Sequence, residues 1–483
     1  MKRYWLLVVL FAFSAAALRT YLAFSVQGFS DDASYLHLRN ARNIMVSGVP
    51  IVHDSLVPRE GVLFSLFDYL LAGVGFLMPV EIAAKVLSNV FFFVLVIVFF
   101  WLSFCLCRSQ KAALFAAVVF ASLPDITATF NSASGLLLAF VFLCVLNVAL
   151  LRRSVLLYVV ALVLFTFLHP SVILFVFSLG VSVLLMLSEK RVLRGEIVEL
   201  VLFSVFFVLA VEMFVHAKLL AQGVQVLSAH VPEEVLSLTF TSLTILGAVA
   251  GVGLVTVFFM LLAVYRALVE KQCALYYMIG LLAVSSVLLW FKLVPVQTGM
   301  LFFVYAAVLL FGVGYADFML YVQKTRMSNF SWAIHGSIVL FVISANVVQA
   351  FGQVRSGLES APDVFEDDAA SWIAQYAPSD VVILTVPARG EYLAYKTRRQ
   401  VVLDTMYYAI PDAPSRYADV ARLFATSLEI EAVSIMEKYG AGMVYSPKYV
   451  VQPLYLPGNC FSIAYSNGAS VYSKSPLCSV RGK

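Results

Sequence analysis

The chain has 483 residues, 62% of them hydrophobic and only 12% charged, with a mean hydropathy of +0.94. No soluble core needs aliphatic and Phe residues in runs of about twenty, so this composition excludes a purely soluble protein. The net charge of +4 comes from Lys and Arg spread among short loops, which leaves no clustered patch for nucleic acid.

Apolar runs lie near residues 4–24, 83–106, 111–124, 135–151, 154–169, 171–187, 197–217, 239–264, 273–291, 299–322 and 332–352, and each is read as a membrane span. Met1-Lys2-Arg3 ahead of the first run looks like the start of a signal peptide. The run reaches about Phe24 without a small-residue cleavage site, so a retained first helix is expected. Residues 62–79 are also apolar, and their status decides the topology. If they cross the bilayer, Arg108 and Lys111 fall outside the cell. If they lie on the membrane, Lys2/Arg3, Arg108/Lys111, Arg152/Arg153, Lys190/Arg191/Arg194, Arg266/Lys271 and Lys324/Arg326 all face the cytoplasm. The bias of Lys and Arg toward inner loops favours the second arrangement. Asp68, Gly73 and Gly75 also suit a juxtamembrane helix better than a span. The expectation is a polytopic α-helical protein of the cell membrane, with about 11 transmembrane helices over residues 1–355 and a soluble α/β domain over 356–483. Its amino terminus is cytoplasmic and its C-terminal domain extracytoplasmic.

The first external loop, about 25–82, holds Asp31, Asp32, His37, Arg39, Arg42, His53, Asp54, Arg59 and Glu60. Two adjacent carboxylates just beyond a membrane helix can hold a hard divalent cation or accept a proton. One of them can equally serve as the N-cap of the helix that follows, which leaves the second to be explained. A second external loop, Leu123 to Gly135, carries Asp125, Asn131, Ser132 and Ser134, and a third, Lys218 to Leu238, carries His230, Glu233 and Glu234. His169 ends the fifth span and either lines a cavity or is tied up locally. Glu212 sits at membrane depth, where an ionisable group is a functional candidate, or else pairs with His216 one turn on. Lys292 either meets an anionic head group or snorkels at the interface.

Beyond Phe351 the composition turns polar. Asp363 to Tyr376 has helical spacing of apolar residues, Val381 to Leu384 reads as a buried strand, Val401 to Leu403 as a second, and Gly442 to Tyr445 as a third. Glu431 to Tyr439 reads as a helix closed by Gly440, and Phe461 to Lys474 as a hairpin turning at Asn467-Gly468. Strands alternating with helices argue for an α/β fold. Cys105, Cys107, Cys144 and Cys273 lie in or beside spans and act as small apolar residues. Cys460 and Cys478 flank the hairpin on the outer side, and their spacing suits a disulfide. No Walker loop, dinucleotide fingerprint, zinc spacing or nucleophile elbow is present.

Asp31-Asp32-Ala33-Ser34-Tyr35, followed by Ala41-Arg42-Asn43-Ile44 and Gly48, resembles the first external loop of the GT-C glycosyltransferases. Tyr35-Leu36-His37-Leu38-Arg39 and Asp54 to Gly61 are most similar to the archaeal oligosaccharyltransferase branch, as are Gly390 to Tyr395 and Val401 to Thr405. The Trp-Trp-Asp-Tyr-Gly signature of that branch is missing, and the matching place reads Thr385 to Gly390, including Arg389. The second loop offers Asn131, Ser132 and Ser134 where the family carries an acidic pair. The resemblance implies a membrane glycosyltransferase that moves a sugar or oligosaccharide from a polyprenyl phosphate or diphosphate, such as a dolichol carrier, to a protein, lipid or glycan acceptor outside the cell. It implies Asp31 and Asp32 as catalytic groups and as ligands of a divalent cation, Mg or Mn. His37, Arg39, Arg59, His169, Glu212, His216, His230, Lys292 and Arg389 are then candidates for the donor phosphate or substrate. Two other classes stay open: an inactive relative that binds lipid or assists a partner, and a transporter or flippase.

Overall fold

The computed structural model describes residues 2–59, 64–190, 195–215, 245–406, 409–450 and 459–479. Helices fill the described parts of the eleven apolar segments, and the eighth is split into two helices at Gly253. They are α1 (Lys2–Phe24), then, after the intervening helices α2 (Ala33–Ser47) and α3 (Leu66–Gly75), α4 (Val80–Cys107) and α5 (Gln110–Ser122). The short α6 (Pro124–Ala128) precedes α7 (Leu136–Arg152), α8 (Val155–Leu168), α9 (Val172–Ser188) and α10 (Gly195–Val215). Then come α11 (Ile245–Val252), α12 (Leu254–Val269), α13 (Cys273–Trp290), α14 (Val296–Lys324) and α15 (Ser331–Ser360). Among the described residues, six helical segments are long and apolar enough to cross a bilayer unaided, or seven if α5 and the bent segment after it count as one span. The helices α7, α8, α9 and α12 have 14 to 17 residues, below the length of about 20 that a straight crossing takes.

α14 is the axis of the bundle, with 94% of its apolar window buried against α12, α13, α5 and α4. Gly314 allows its closest approach: a Cβ there would lie 2.1 Å from the Phe259 carbonyl oxygen of α12. α3 is a ten-residue helix whose N-cap, Ser65, accepts from the Phe67 amide, and it packs on α2, α4 and α8.

The C-terminal domain opens with α16 (Val364–Tyr376), whose N-cap Asp363 accepts from the Glu366 amide. β1 (Val382–Leu384), α17 (Gly390–Thr397), β2 (Gln400–Val401), α18 (Ala413–Ala425), α19 (Glu429–Lys438), β3 (Ala441–Ser446), β4 (Phe461–Asn467) and β5 (Ala469–Lys474) complete it. The five strands form one sheet in the order β2-β1-β3-β5-β4. Pairing is parallel from β2 through β3 and antiparallel beyond it. The predicted second strand is shorter than expected, because the chain leaves the sheet at Val402 to reach the loop that carries Asp404. Cys460 and Cys478 are disulfide-bonded with Cα atoms 5.5 Å apart, closing the open end of the β4–β5 hairpin. The helices α17 and α18 had no counterpart among the elements read from sequence. The buried Ala413, Tyr417, Val420 and Leu423 of α18 do follow helical spacing, so the pattern was legible there.

Replacing Gly314 with Val forces α12 and α14 apart, and overpacking of this kind costs about 1–3 kcal/mol. Thermal unfolding of the detergent-solubilised protein is expected at a lower temperature than wild type, and an unchanged midpoint would show that the bundle tolerates the separation.

Candidate functional site

The two adjacent carboxylates of the first loop do different things. Asp32 occupies the N-cap position of α2 but makes no side-chain hydrogen bond to that helix. Its carboxylate reaches the other domain and caps α17 instead. Oδ2 accepts from the Glu391 amide at 3.0 Å and Oδ1 from the Tyr392 amide at 2.9 Å. α17 can come close to the loop that follows β2 because it begins at Gly390, where a Cβ would lie 2.2 Å from the Leu403 carbonyl oxygen. Asp32 is 6% exposed, and burial pushes its carboxyl up to about 7 against the pull of the backbone amide and of Arg389. It was expected to serve as a base or cation ligand; in the structure each of its oxygens accepts a backbone amide, which ties α2 to α17.

Arg39 and Arg59, expected at a donor phosphate, are committed to carboxylates in the same seam. Arg39 donates to Glu391 at 2.9 Å and to Asp54. Arg59 donates to Glu391 and Asp404 and lies 3.8 Å from Asp54. All five side chains are at least 93% buried. Three carboxylates thus meet two guanidiniums in this seam. Arg389 is similarly engaged: its Nε donates to Glu366 at 2.6 Å and its Nη2 to the Ser360 carbonyl at 2.9 Å. A backbone contact joins the same seam, the Val401 amide of β2 donating to the Leu56 carbonyl at 2.8 Å.

Asp31 faces the other way, toward the second external loop. It is half-buried and accepts hydrogen bonds from the hydroxyls of Ser34 and Ser132. Ser34 Oγ in turn accepts from the Ala133 amide at 2.7 Å, and the Ser30 amide donates to the Asn131 carbonyl at 3.0 Å. The loops are stapled from below by Arg19 of α1, which donates to Asn89, to the Ile126 carbonyl and to Thr129. Burial raises the Asp31 carboxyl above its ordinary 3.8, opposed by the two serines and by His37. His37 itself has Nδ1 2.6 Å from Asp68 of α3. Burial disfavours its imidazolium, but the charge and hydrogen bond of Asp68, with the charge of Asp31, carry the net shift upward from 6.5. Asp31, Ser34, Ser132, His37 and Asp68 therefore form one polar cluster where the two loops meet.

The remaining candidates lie elsewhere. His169 ends α8, its Nδ1 accepting from the Ser171 amide at 3.1 Å, the local arrangement weighed against a cavity role. Ser65 donates to the neighbouring Leu168 carbonyl at 3.0 Å, which brings the start of α3 to this corner. Glu212 is 1% exposed on α10. His216 and His230 lie outside the described residues. Lys292 sits at an exposed turn after α13 with φ +55°. Sequence reasoning had named Asp68 only as unsuited to a span; an acidic group inside an apolar run was itself a sufficient signal.

The donor set does not fit the divalent cation expected on Asp31 and Asp32. Each Asp32 oxygen already accepts a backbone amide, and among the described residues no group of three or more His, Cys, Asp or Glu side chains has the arrangement to hold a metal ion. Two carboxylates pointing apart do not make a cage.

No family model matches the chain, and no curated protein matches it by sequence. Solved structures do. The oligosaccharyltransferase of Archaeoglobus fulgidus, tethered with an acceptor peptide containing the NVT sequon, superposes with a TM-score of 0.62 at 15% identity, over 91% of this chain and 69% of that one. ArnT from Cupriavidus metallidurans bound to undecaprenyl phosphate gives 0.55 at 12% identity, over 98% of both chains. The mycobacterial arabinofuranosyltransferase AftD gives 0.56 at 15%, over 96% of this chain and 40% of that one. The archaeal enzyme has also been solved as a complex with Zn and sulfate. At these identities the likeness is one of fold, which this chain shares with the archaeal oligosaccharyltransferase, ArnT and AftD.

Removing one member of a buried ion network leaves its partners charged and unanswered, at a cost of about 3–5 kcal/mol. Arg59→Ala is therefore expected to loosen the C-terminal domain from the first loop. Faster limited proteolysis between residues 351 and 364 is the readout, and wild-type resistance would contradict it.

Proposed function

We propose that this chain is a membrane glycosyltransferase that takes a sugar from a polyprenyl-linked phosphate donor, with Asp31 as its general base. The single observation that carries the reading is the placement of Asp31. It is half-buried at the junction of the two loops, oriented by Ser34 and Ser132, and aimed away from the seam that consumes Asp32. The GT-C fold, shared with enzymes solved with dolichol phosphate and undecaprenyl phosphate, supports the donor class.

In the proposed reaction the acceptor's hydroxyl or amide nitrogen attacks the anomeric carbon of the donor. A bond from that carbon to the acceptor forms, and the bond from carbon to phosphate oxygen breaks. The electron pair leaves on the phosphate, and the acceptor's proton passes to Asp31. A carboxylate raised by burial is a stronger base than an ordinary one, and serine hydroxyls hold it in the direction the acceptor must approach. The basic-loop pattern and the Cys460–Cys478 disulfide both argue for the extracytoplasmic face, since disulfides persist in oxidising compartments. The C-terminal domain, docked through Asp32, would form one wall of the site and help select the acceptor.

Asp31→Asn is expected to lower sugar transfer by roughly 10²-fold or more, the usual scale for a lost base. The test is transfer from synthetic dolichyl- or undecaprenyl-phosphate sugars to a panel of lipid, glycan and peptide acceptors. Full activity in the variant would end the base assignment, and movement of lipid across vesicles without transfer would favour a flippase. Asp31 must be ionised to act, so the wild-type rate should rise with pH through a midpoint above 3.8. A midpoint at or below that value would contradict the buried environment.

A further inference from the structure

Resting on the glycosyltransferase reading, we propose that Asp68 is a positioning residue which fixes His37 as the cation that receives the donor's phosphate. Among the described residues, the arginines of the first loop and Arg389 are each paired with a carboxylate. Arg39 and Arg59 sit in the carboxylate-rich seam, Arg389 is tied to Glu366, and Arg42 donates to Glu81 at 2.7 Å. A departing phosphate still needs a positive partner, because its charge grows as the glycosidic bond breaks.

His37 stands next to Asp31, with its side chain 22% exposed. Asp68 is 1% exposed and has both oxygens assigned. Oδ1 takes the His37 Nδ1 at 2.6 Å, and Oδ2 accepts from Asn40 Nδ2 at 2.9 Å. Asn40 Oδ1 in turn accepts from the Ile51 amide at 3.4 Å. Asp68 is thus held from two sides and cannot swing away from the imidazole. The Phe67 ring meets the His37 ring edge-on at 5.3 Å, which fixes its plane. With Nδ1–H given to Asp68, the ring presents Nε2–H to a ligand. A carboxylate behind a histidine sets both its tautomer and its readiness to hold a proton. The charged groups facing His37 are Asp68 from α3 and Asp31 and Arg59 from the first loop; the two acids favour the imidazolium and Arg59 opposes it. His37 thereby supplies charge at the point where the arginines do not.

The test uses the full-length protein in nanodiscs with a short-chain polyprenyl monophosphate, the leaving group itself, as probe. Wild-type affinity is expected to fall as pH rises through a midpoint above 6.5, while His37 loses its proton. In Asp68→Asn that midpoint should drop by about one to three pH units, the usual effect of removing an adjacent opposite charge. Asp68→Glu should restore part of the shift. If Asp68→Asn fails to fold, His37→Gln carries the test, because it must flatten the pH dependence. An unchanged midpoint in Asp68→Asn, or persistent pH dependence in His37→Gln, overturns the assignment. If at the same time Asp31→Asn still abolishes transfer, the glycosyltransferase reading survives. If the wild-type protein neither binds the probe nor transfers sugar, both fall together.

Discussion

A charge removed from water must be answered where it lies, and in this protein that requirement joins two domains. Arg39 and Arg59 leave the first loop into a seam where Asp54, Glu391 and Asp404 receive them, and Asp32 adds a carboxylate to the backbone amides of α17. Such a network adds little net stability over a well-packed apolar contact, since desolvation of the ions offsets most of their attraction. What it supplies is register. A carboxylate pair and a guanidinium fork accept few relative positions, so α2 and α17 meet in one arrangement. The Val401–Leu56 contact extends the same register to the exposed edge of the sheet.

That register leaves Asp31 as it is found. With Asp32 drawn into the domain, the neighbouring carboxylate is turned toward the second loop and its serines. Residues next to one another in sequence thus divide between two contacts, Asp32 with the C-terminal domain and Asp31 with the second loop. The neutral hydroxyls of Ser34 and Ser132 orient Asp31 without adding charge.

Much of the architecture was legible in the chain. Long apolar runs and the placement of Lys and Arg located the helices, because backbone groups in hydrocarbon leave few alternatives. The alternating pattern after Phe351 located most strands and the hairpin. The site was legible as a region but not as a set of partners. Arg39 and Glu391 stand 352 residues apart, and nothing local in either tells that one waits for the other. The phosphate-binding role expected of Arg39 and Arg59 followed from the resemblance and their charge, and two of their carboxylate partners, Glu391 and Asp404, belong to a distant domain whose α17 carries no strong helical pattern. Asp68 was visible as an anomaly in an apolar run, but its link to His37 needed α2 and α3 to be placed side by side.

The sequence separation across the seam also has a meaning for biogenesis. Arg59 is synthesised 345 residues before Asp404. At about 5–20 residues per second, the first loop waits roughly 20–70 s for the partners that bury its arginines. During that interval the membrane helices can insert and pack, while the loop remains solvated and its cations face water. The seam closes only once the C-terminal domain has been made, so a product truncated before Gly390 would leave Arg39 and Arg59 without Glu391 and Asp404.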